Sequence, residues 1–277
     1  MTRHRATDLF RIAVLMLIVS QSVSAQSPDP SPNKATSIVL VHGAFVDGSG
    51  WKPVYDILVK DGYEVLVVQH ASATLEGDVA ATRSVIDIAR FPVVLVGHSY
   101  AGMIISEAGA NSKVKSLVYV AAYAPETGES VAKIAQIPAQ PGESRAPVLP
   151  PRDGHRLVDP AKFPTAFAAD VPVSTTRFMA AAQVPWGLAA VQAEVGKPAW
   201  KVKPTSFLVT TQDRMIPPSV QRMMASRSGA KTIEVASSHA VMLSHPSEVA
   251  ALIESADVAT PAPSSDINRS DAARRVK

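Results

Sequence analysis

Three residues with the side chains of nucleophilic acyl transfer, Ser99, Asp213 and His239, each follow a short apolar run. The serine lies in VLVGHSYAGMII, residues 95 to 106, which passes from a β-branched strand pattern through a His-Ser-Tyr trio into small residues and a helical pattern. Gly97 stands two residues before Ser99, Ala101 two after it, and Gly102 next. A sharp strand-to-helix turn brings two backbones nearly into contact, so it needs small residues on both sides, and it thrusts the serine Oγ outward. Ala101 fills the place where a second glycine is usual and is still small. A serine ahead of a helix also serves as a simple N-cap; the strand-to-helix context favours the nucleophile.

A hydroxyl becomes a nucleophile when a base takes its proton, and imidazole suits that work near neutral pH. His239, in VASSHAVMLSHP, lies in the loop after the last apolar run and is favoured over His245, which directly precedes Pro246 and leads into a final helix. His98 is expected to point sideways into the fold, His70 ends a strand, and His155 falls in a proline-rich stretch. The imidazole in turn needs a carboxylate to fix its tautomer. Asp213, in VTTQDRMIPP, follows the run ending at Thr211. Alone it would be a turn former; with Ser99 and His239 it completes a Ser, Asp, His order. Arg214 beside it suits a local ion pair. A developing oxyanion needs N–H donors. One is the backbone of Tyr100, and the other that of Ala44 in VHGAF (41 to 45), where Gly43 lets the first loop turn back toward Ser99.

These residues require a scaffold that delivers loops to one edge. Apolar runs at 37–41, 64–69, 93–97, 116–121, 206–211 and 232–236 alternate with helical patterns at about 50–60, 76–90, 100–110, 218–227 and 246–256. The runs are continuous rather than alternating, which suits strands covered on both faces. The expectation is an α/β fold with a mostly parallel sheet of about six strands and flanking helices. Pro217, Pro218 and Pro246 suit helix starts. Residues 122 to 204 break the pattern with many prolines, much alanine and several aromatics. A structureless loop of that size is improbable, so a helical cap over the sheet's carboxyl edge is expected there. That edge is where open α/β sheets hold ligands.

Together VHGAF…GSGW, GHSYAG, TTQDRMIP…QR and SSHAVMLSHP resemble the α/β-hydrolase superfamily from about residue 37 to 256. The branch is similar to plant methylesterases, hydroxynitrile lyases and bacterial carboxylesterases, including pyrethroid hydrolases. Lyases of that branch carry a threonine where Gly43 stands and a lysine where Ala240 stands, so the resemblance favours ester hydrolysis. It implies a serine carboxylesterase with an acyl-enzyme intermediate and no metal or organic cofactor. Phe45, Phe178 and Trp186 become candidates to line an apolar substrate pocket, with Phe163, Phe167 and Met179 beside them; simple packing is the competing role. The same fold running a lyase or other bond cleavage, and an exported non-catalytic binding protein, are the alternatives from other functional classes.

Both ends carry their own signals. Arg3, Arg5 and Arg11 precede the apolar stretch IAVLMLIVS (12 to 20), and SVSA (22 to 25) ends in small residues, which is the pattern of a signal peptide cleaved after Ala25. The apolar run is too short for an ordinary membrane span, which takes about 20 residues. Residues 26 to 36 form a Pro/Ser linker, 37–260 the folded domain, and 261–277 a polar, Pro/Ser-led tail expected to be disordered. Of the net +3, residues 1–25 and 261–277 each carry +2, leaving −1 on everything between. That balance offers no basic stripe to nucleic acid, and the expected partner is a small-molecule ester. With no cysteine, disulfides and thiolate chemistry are excluded. Export to periplasm or medium makes a direct prediction: intact-mass spectrometry of the protein from its native host should find Gln26 at the N-terminus, and intact Met1 in the membrane fraction would overturn it.

Overall fold

The computed structural model describes residues 32–258. The signal peptide with its cleavage position, most of the linker and the tail 261–277 lie outside the described residues. The chain runs β1 (Ser37–Val41), α1 (Lys52–Lys60), β2 (Glu64–Val68), α2 (Leu75–Ile88), β3 (Val93–His98), α3 (Ala101–Ala108) and β4 (Val114–Val120). An inserted segment follows, with α4 (Val131–Ile134), β5 (His155–Arg156), α5 (Phe163–Phe167), α6 (Val173–Ala181), β6 (Trp186–Gly187) and α7 (Leu188–Gln192). The body resumes with β7 (Thr205–Thr210), α8 (Pro218–Arg227), β8 (Lys231–Val235), α9 (Val241–Ser244) and α10 (Pro246–Val258).

β1, β2, β3, β4, β7 and β8 form one parallel sheet in the order β2-β1-β3-β4-β7-β8. The continuous apolar runs match the inner strands: every residue of β1 and β3 is buried. The outermost strands differ, since β2 buries only Val68 fully and β8 buries none of its residues. An end position leaves a strand without a neighbour on one side, and no helix layer closes over it completely. The helices follow elementary rules. In α2, Thr74 caps the first turn by accepting from the Gly77 N–H at 3.1 Å, and Leu75, Val79, Thr82 and Ile86 form one buried stripe. Pro218 and Pro246 open α8 and α10, where a missing N–H leaves no partner unsatisfied.

Two boundaries differ from the sequence expectation. The fold begins before residue 37: the N–H groups of Asn33 and Lys34 both donate to the Gly62 carbonyl at 3.1 and 3.0 Å, and Thr36 Oγ1 donates to Asp257 at 2.7 Å. The inserted segment is not purely helical. β5 and β6 pair antiparallel as a two-residue ribbon, and strands that short leave no alternation in a sequence. Its last stretch already belongs to the body, with Trp200 Nε1 donating to Pro125 O at 2.8 Å and Lys203 Nζ to Val114 O at 2.6 Å.

Strand order reverses at β1, which has β2 on one side and β3 on the other. A crevice therefore opens beyond the carboxyl ends of β1 and β3, the place where α/β sheets bind ligands. The turn after β3 closes that crevice from one side and tolerates no extra atoms. A Cβ on Gly102 would lie 1.9 Å from the Tyr123 carbonyl oxygen. Gly102→Ala is therefore expected to cost about 3 kcal/mol or more of unfolding free energy, whereas Ala101→Gly should cost about 1 kcal/mol or less. Urea denaturation of the two variants checks this, and a Gly102→Ala protein as stable as wild type would refute the packing argument.

Candidate active site

Ser99 sits between β3 and α3 with φ 55, in the left-handed region that a non-glycine residue occupies at a cost of order 1–3 kcal/mol. Three backbone hydrogen bonds hold it there: Ser99 N–H to Val120 O at 3.2 Å, and the N–H groups of Gly102 and Tyr123 to Ser99 O at 3.0 and 3.1 Å. Gly97 is required because a Cβ there would meet the Ala101 carbonyl oxygen at 2.8 Å. Gly43 is required for a different reason from the one its sequence suggests. Its own turn does not need positive φ; Phe45 takes that conformation, at φ 68. A Cβ on Gly43 would instead lie 2.8 Å from Ser99 Cβ, so the first loop presses directly against the serine.

On the far side of the sheet's carboxyl edge, the His239 Nδ1–H donates to Asp213 Oδ2 at 2.7 Å, with both side chains buried. Asp213 sits in the turn after β7 and accepts from donors only. Oδ1 takes the N–H groups of Met215 and Ile216 at 2.7 and 3.0 Å, and Oδ2 also takes Thr210 Oγ1 at 2.7 Å and Gln221 Nε2 at 2.8 Å. A carboxylate so fixed orients the imidazole and sets its tautomer. The lone pair is thereby left on His239 Nε2, which is buried and has no hydrogen-bond partner among the described residues. Ser99 Oγ makes no hydrogen bond to it; the two are brought to one neighbourhood by His98, whose ring lies 4.6 Å from that of His239. Gln221, on α8, clamps the turn further by donating to Ile216 O at 2.9 Å and accepting from the Thr210 N–H at 3.1 Å. Sequence reasoning gave Gln221 no role, since a helical glutamine is ordinarily a surface residue.

Ala44 and Tyr100 are both buried, and neither backbone N–H donates to another described group. Behind them lies a polar network that the sequence did not announce. Tyr100 Oη donates to Asp78 Oδ2 at 2.8 Å, and Asp78 Oδ1 accepts from the Ser72 N–H at 3.1 Å. His70 stacks on His42 at 3.8 Å between centroids, with Nε2 donating to His42 O at 2.9 Å. His42 Nδ1–H donates to Gly43 O at 2.8 Å, which fixes the carbonyl beside Ala44. Burial lowers the His42 pKa from 6.5 to about 4, and the neighbouring His70 pushes it the same way. His98 is also held well below the ordinary histidine value, by burial and by His239. It lies inside the fold, as its sequence position suggests, and its Nε2–H donates to His239 O at 2.9 Å. Burial and the Asp78 carboxylate likewise push the Tyr100 phenol upward.

The loop carrying His239 is tied to the inserted segment. Asp170 Oδ2 accepts from Ser237 Oγ at 2.8 Å and the Ser238 N–H at 3.0 Å, while Ser238 Oγ donates to its other oxygen. Phe167 packs edge-on against the His239 ring at 4.9 Å. His245 belongs to this side of the structure, 3.8 Å from Asp170 and away from Asp213. Arg214 makes no ion pair among the described residues; its Nη1 donates to Thr165 O at 3.3 Å.

A cavity of about 460 Å³ opens over Ser99, lined among others by Ala44, Phe45, Tyr123, Trp186 and Met215. Phe163 and Phe167 are buried in the core instead. Phe178 corrects the pocket expectation: it is 72% exposed and lies outside this cavity. With Met179 it borders a separate, smaller cavity of about 180 Å³ that Phe45 also lines. Its helix, α6, turns that side chain outward, an orientation that aromatic composition alone does not reveal.

The sequence profile of the alpha/beta hydrolase family matches residues 38–252. A carbendazim hydrolyzing esterase of Nocardioides sp. (strain SG-4G) is 34% identical over 109 residues, covering 34% of this chain and 45% of that protein. The chain thus spans less than half the length of this curated relative. Among solved structures, a pyrethroid hydrolase from Sphingobium faniae JZ-2 superposes with a TM-score of 0.69 at 21% identity, covering 81% of this chain and 98% of that one. An Arabidopsis methylesterase gives 0.66 at 19% identity, covering 80% and 99%.

The buried histidines make stability depend on pH. A histidine whose pKa falls on folding binds a proton more readily when unfolded, so its neutral burial is harmless above 6.5 and opposes folding progressively below it. For His42 the loss should reach on the order of 3 kcal/mol by pH 4, and His98 adds in the same direction. Denaturant midpoints are expected to hold from pH 8 to about 6.5 and fall toward pH 4, with a shallower fall in His42→Gln. A wild-type midpoint that stays level down to pH 4.5 would contradict the assignment.

Proposed function

The chain belongs to the alpha/beta hydrolase family, and on that premise we propose that it is an exported serine hydrolase that cleaves carboxylic esters through Ser99, His239 and Asp213. The observation that carries this reading is the buried His239: Nδ1–H engaged by Asp213, Nε2 free, and its loop joined through His98 to the strained turn of Ser99. His239 takes the Ser99 proton as Oγ attacks the ester carbonyl. The negative charge that develops on the carbonyl oxygen rests on the Ala44 and Tyr100 N–H groups, an arrangement in which each donor is typically worth about 10²–10³ in turnover. His239 then returns the proton to the departing alcohol, leaving an acyl group on Ser99. Water, deprotonated by the same imidazole, releases the acid. The mechanism calls on no metal or organic cofactor.

The apolar part of the cavity wall, with Phe45 and Trp186, supports esters with a hydrocarbon portion. The hydrolase and esterase names of the similar proteins support the reaction class. Export rests on the arginine-led apolar N-terminus. The test is hydrolysis of p-nitrophenyl esters from acetate to decanoate by residues 26 to 277, beside Ser99→Ala and with fluorophosphonate labelling of both. Ser99→Ala is expected to lose on the order of 10⁶-fold in kcat and all labelling. Turnover or labelling that survives in Ser99→Ala would refute the assignment.

A further inference from the structure

The cavity over Ser99 is lined by two arginines and by no aspartate or glutamate. Arg145 is already used, with Nη1 donating to Ala135 O at 2.6 Å and Nη2 to Ile137 O. Arg156 is not: among the described residues its side chain makes no hydrogen bond or ion pair, and its Nε is buried with no partner. Directly opposite Arg156 in the β5–β6 ribbon stands Trp186, whose Nε1–H is also buried and unpartnered. Residues paired across antiparallel strands share one face. Two orphaned donors therefore sit side by side in the wall of the same cavity.

The ribbon holds them in a fixed relation to the reacting centre. Gly187 N–H donates to Ser72 O and Leu188 N–H to Gly154 O, both at 2.8 Å, and a Cβ on Gly187 would lie 2.1 Å from Ala73 O. Trp186 packs edge-on against the Phe45 ring at 5.4 Å and tilts over the Tyr100 ring at 5.3 Å, side chains of the two segments that carry the proposed oxyanion donors. Buried polar groups in native folds are satisfied, and an exception asks for the missing acceptor. Arg156 as a whole is half-buried, with only its Nε among the orphaned atoms; water can serve the indole and the rest of the guanidinium but supplies no counter-charge. A guanidinium is a planar fork of donors that matches a carboxylate in two parallel hydrogen bonds. Val131, Ile134, Val148, Leu188 and Val191 supply an apolar wall to the same cavity.

We propose that the preferred substrates are esters carrying a second, anionic carboxylate, which Arg156 receives with help from the Trp186 N–H, while the hydrocarbon between ester and carboxylate lies on the apolar wall. This rests on the ester-hydrolase reading above and names its substrate class.

The experiment compares half-esters of linear dicarboxylic acids, from succinate to suberate, with the same esters whose free carboxylate is replaced by a carboxamide. A second series places the carboxylate on the alcohol side. Hydrolysis is followed in wild type, Arg156→Gln and Arg156→Lys. At the best chain length, kcat/KM for the anionic ester should exceed that of its carboxamide by at least about tenfold, carried mainly by KM. That ratio should fall to about 1 in Arg156→Gln and be partly restored in Arg156→Lys. Ser99-dependent hydrolysis with no preference at any length, or a preference that persists in Arg156→Gln, overturns the anion site and leaves the esterase reading standing. Absence of hydrolysis in both series by folded protein overturns the esterase reading. Calorimetric binding of the half-esters to Ser99→Ala then decides the anion site separately: equal Kd with and without Arg156→Gln overturns it, and weaker binding in Arg156→Gln upholds it.

Discussion

The closeness of three backbones around Ser99 is the constraint from which the rest of the structure follows. The serine occupies a left-handed conformation, Gly43 abuts its Cβ, Gly97 abuts the Ala101 carbonyl, and Gly102 abuts the Tyr123 carbonyl. Such a conformation persists only where surrounding contacts over-determine it. Here the end of β1, the turn after β3 and the chain leaving β4 are locked into one another. The loop bearing Ala44 and the turn bearing Ser99 and Tyr100 are thereby packed directly against one another.

Neutral, buried imidazoles extend that rigidity outward. His42 fixes the carbonyl of Gly43, and His98 fixes the carbonyl of His239. Each uses one ring nitrogen as donor, and burial disfavours the charged form of both. The sheet's carboxyl edge therefore carries four histidines, His70 stacking on His42, and of the four His239 is the one whose Nδ1 is held by a carboxylate while its Nε2 has no partner among the described residues. Asp170 adds a tie from the inserted segment to the loop of His239. The segment that shapes the cavity is thereby tied to the loop that carries His239.

The cavity over Ser99 is lined by two contrasting sets of residues. In the first, Ser99 and Ala44 line the cavity. In the second, the β5–β6 ribbon presents a cation and an indole in an otherwise largely apolar wall. Docking of that ribbon on Ser72 and Ala73 ties the Arg156–Trp186 pair to the body of the fold.

The amino-acid sequence by itself determined the six parallel strands, the helices between them, and the three loop positions of Ser99, Asp213 and His239. Those features are local: continuous apolar runs, capping residues and small residues around a turn act within a few positions of one another. The sequence also favoured His239 over His245, and the bond from Asp213 to His239 Nδ1 is consistent with that choice. Only the tertiary structure decided the work of Gln221, Asp170, His42 and His98, the outward turn of Phe178, and the pairing of Arg156 with Trp186. Each of these depends on a partner that is remote in sequence or on the direction of a side chain, and neither leaves a periodic trace. The ribbon is the clearest case, because two residues on each strand are too few to show a pattern and the partners are thirty positions apart. What a chain places at the end of a strand can be seen one segment at a time; what it places across a cavity appears only when the segments meet.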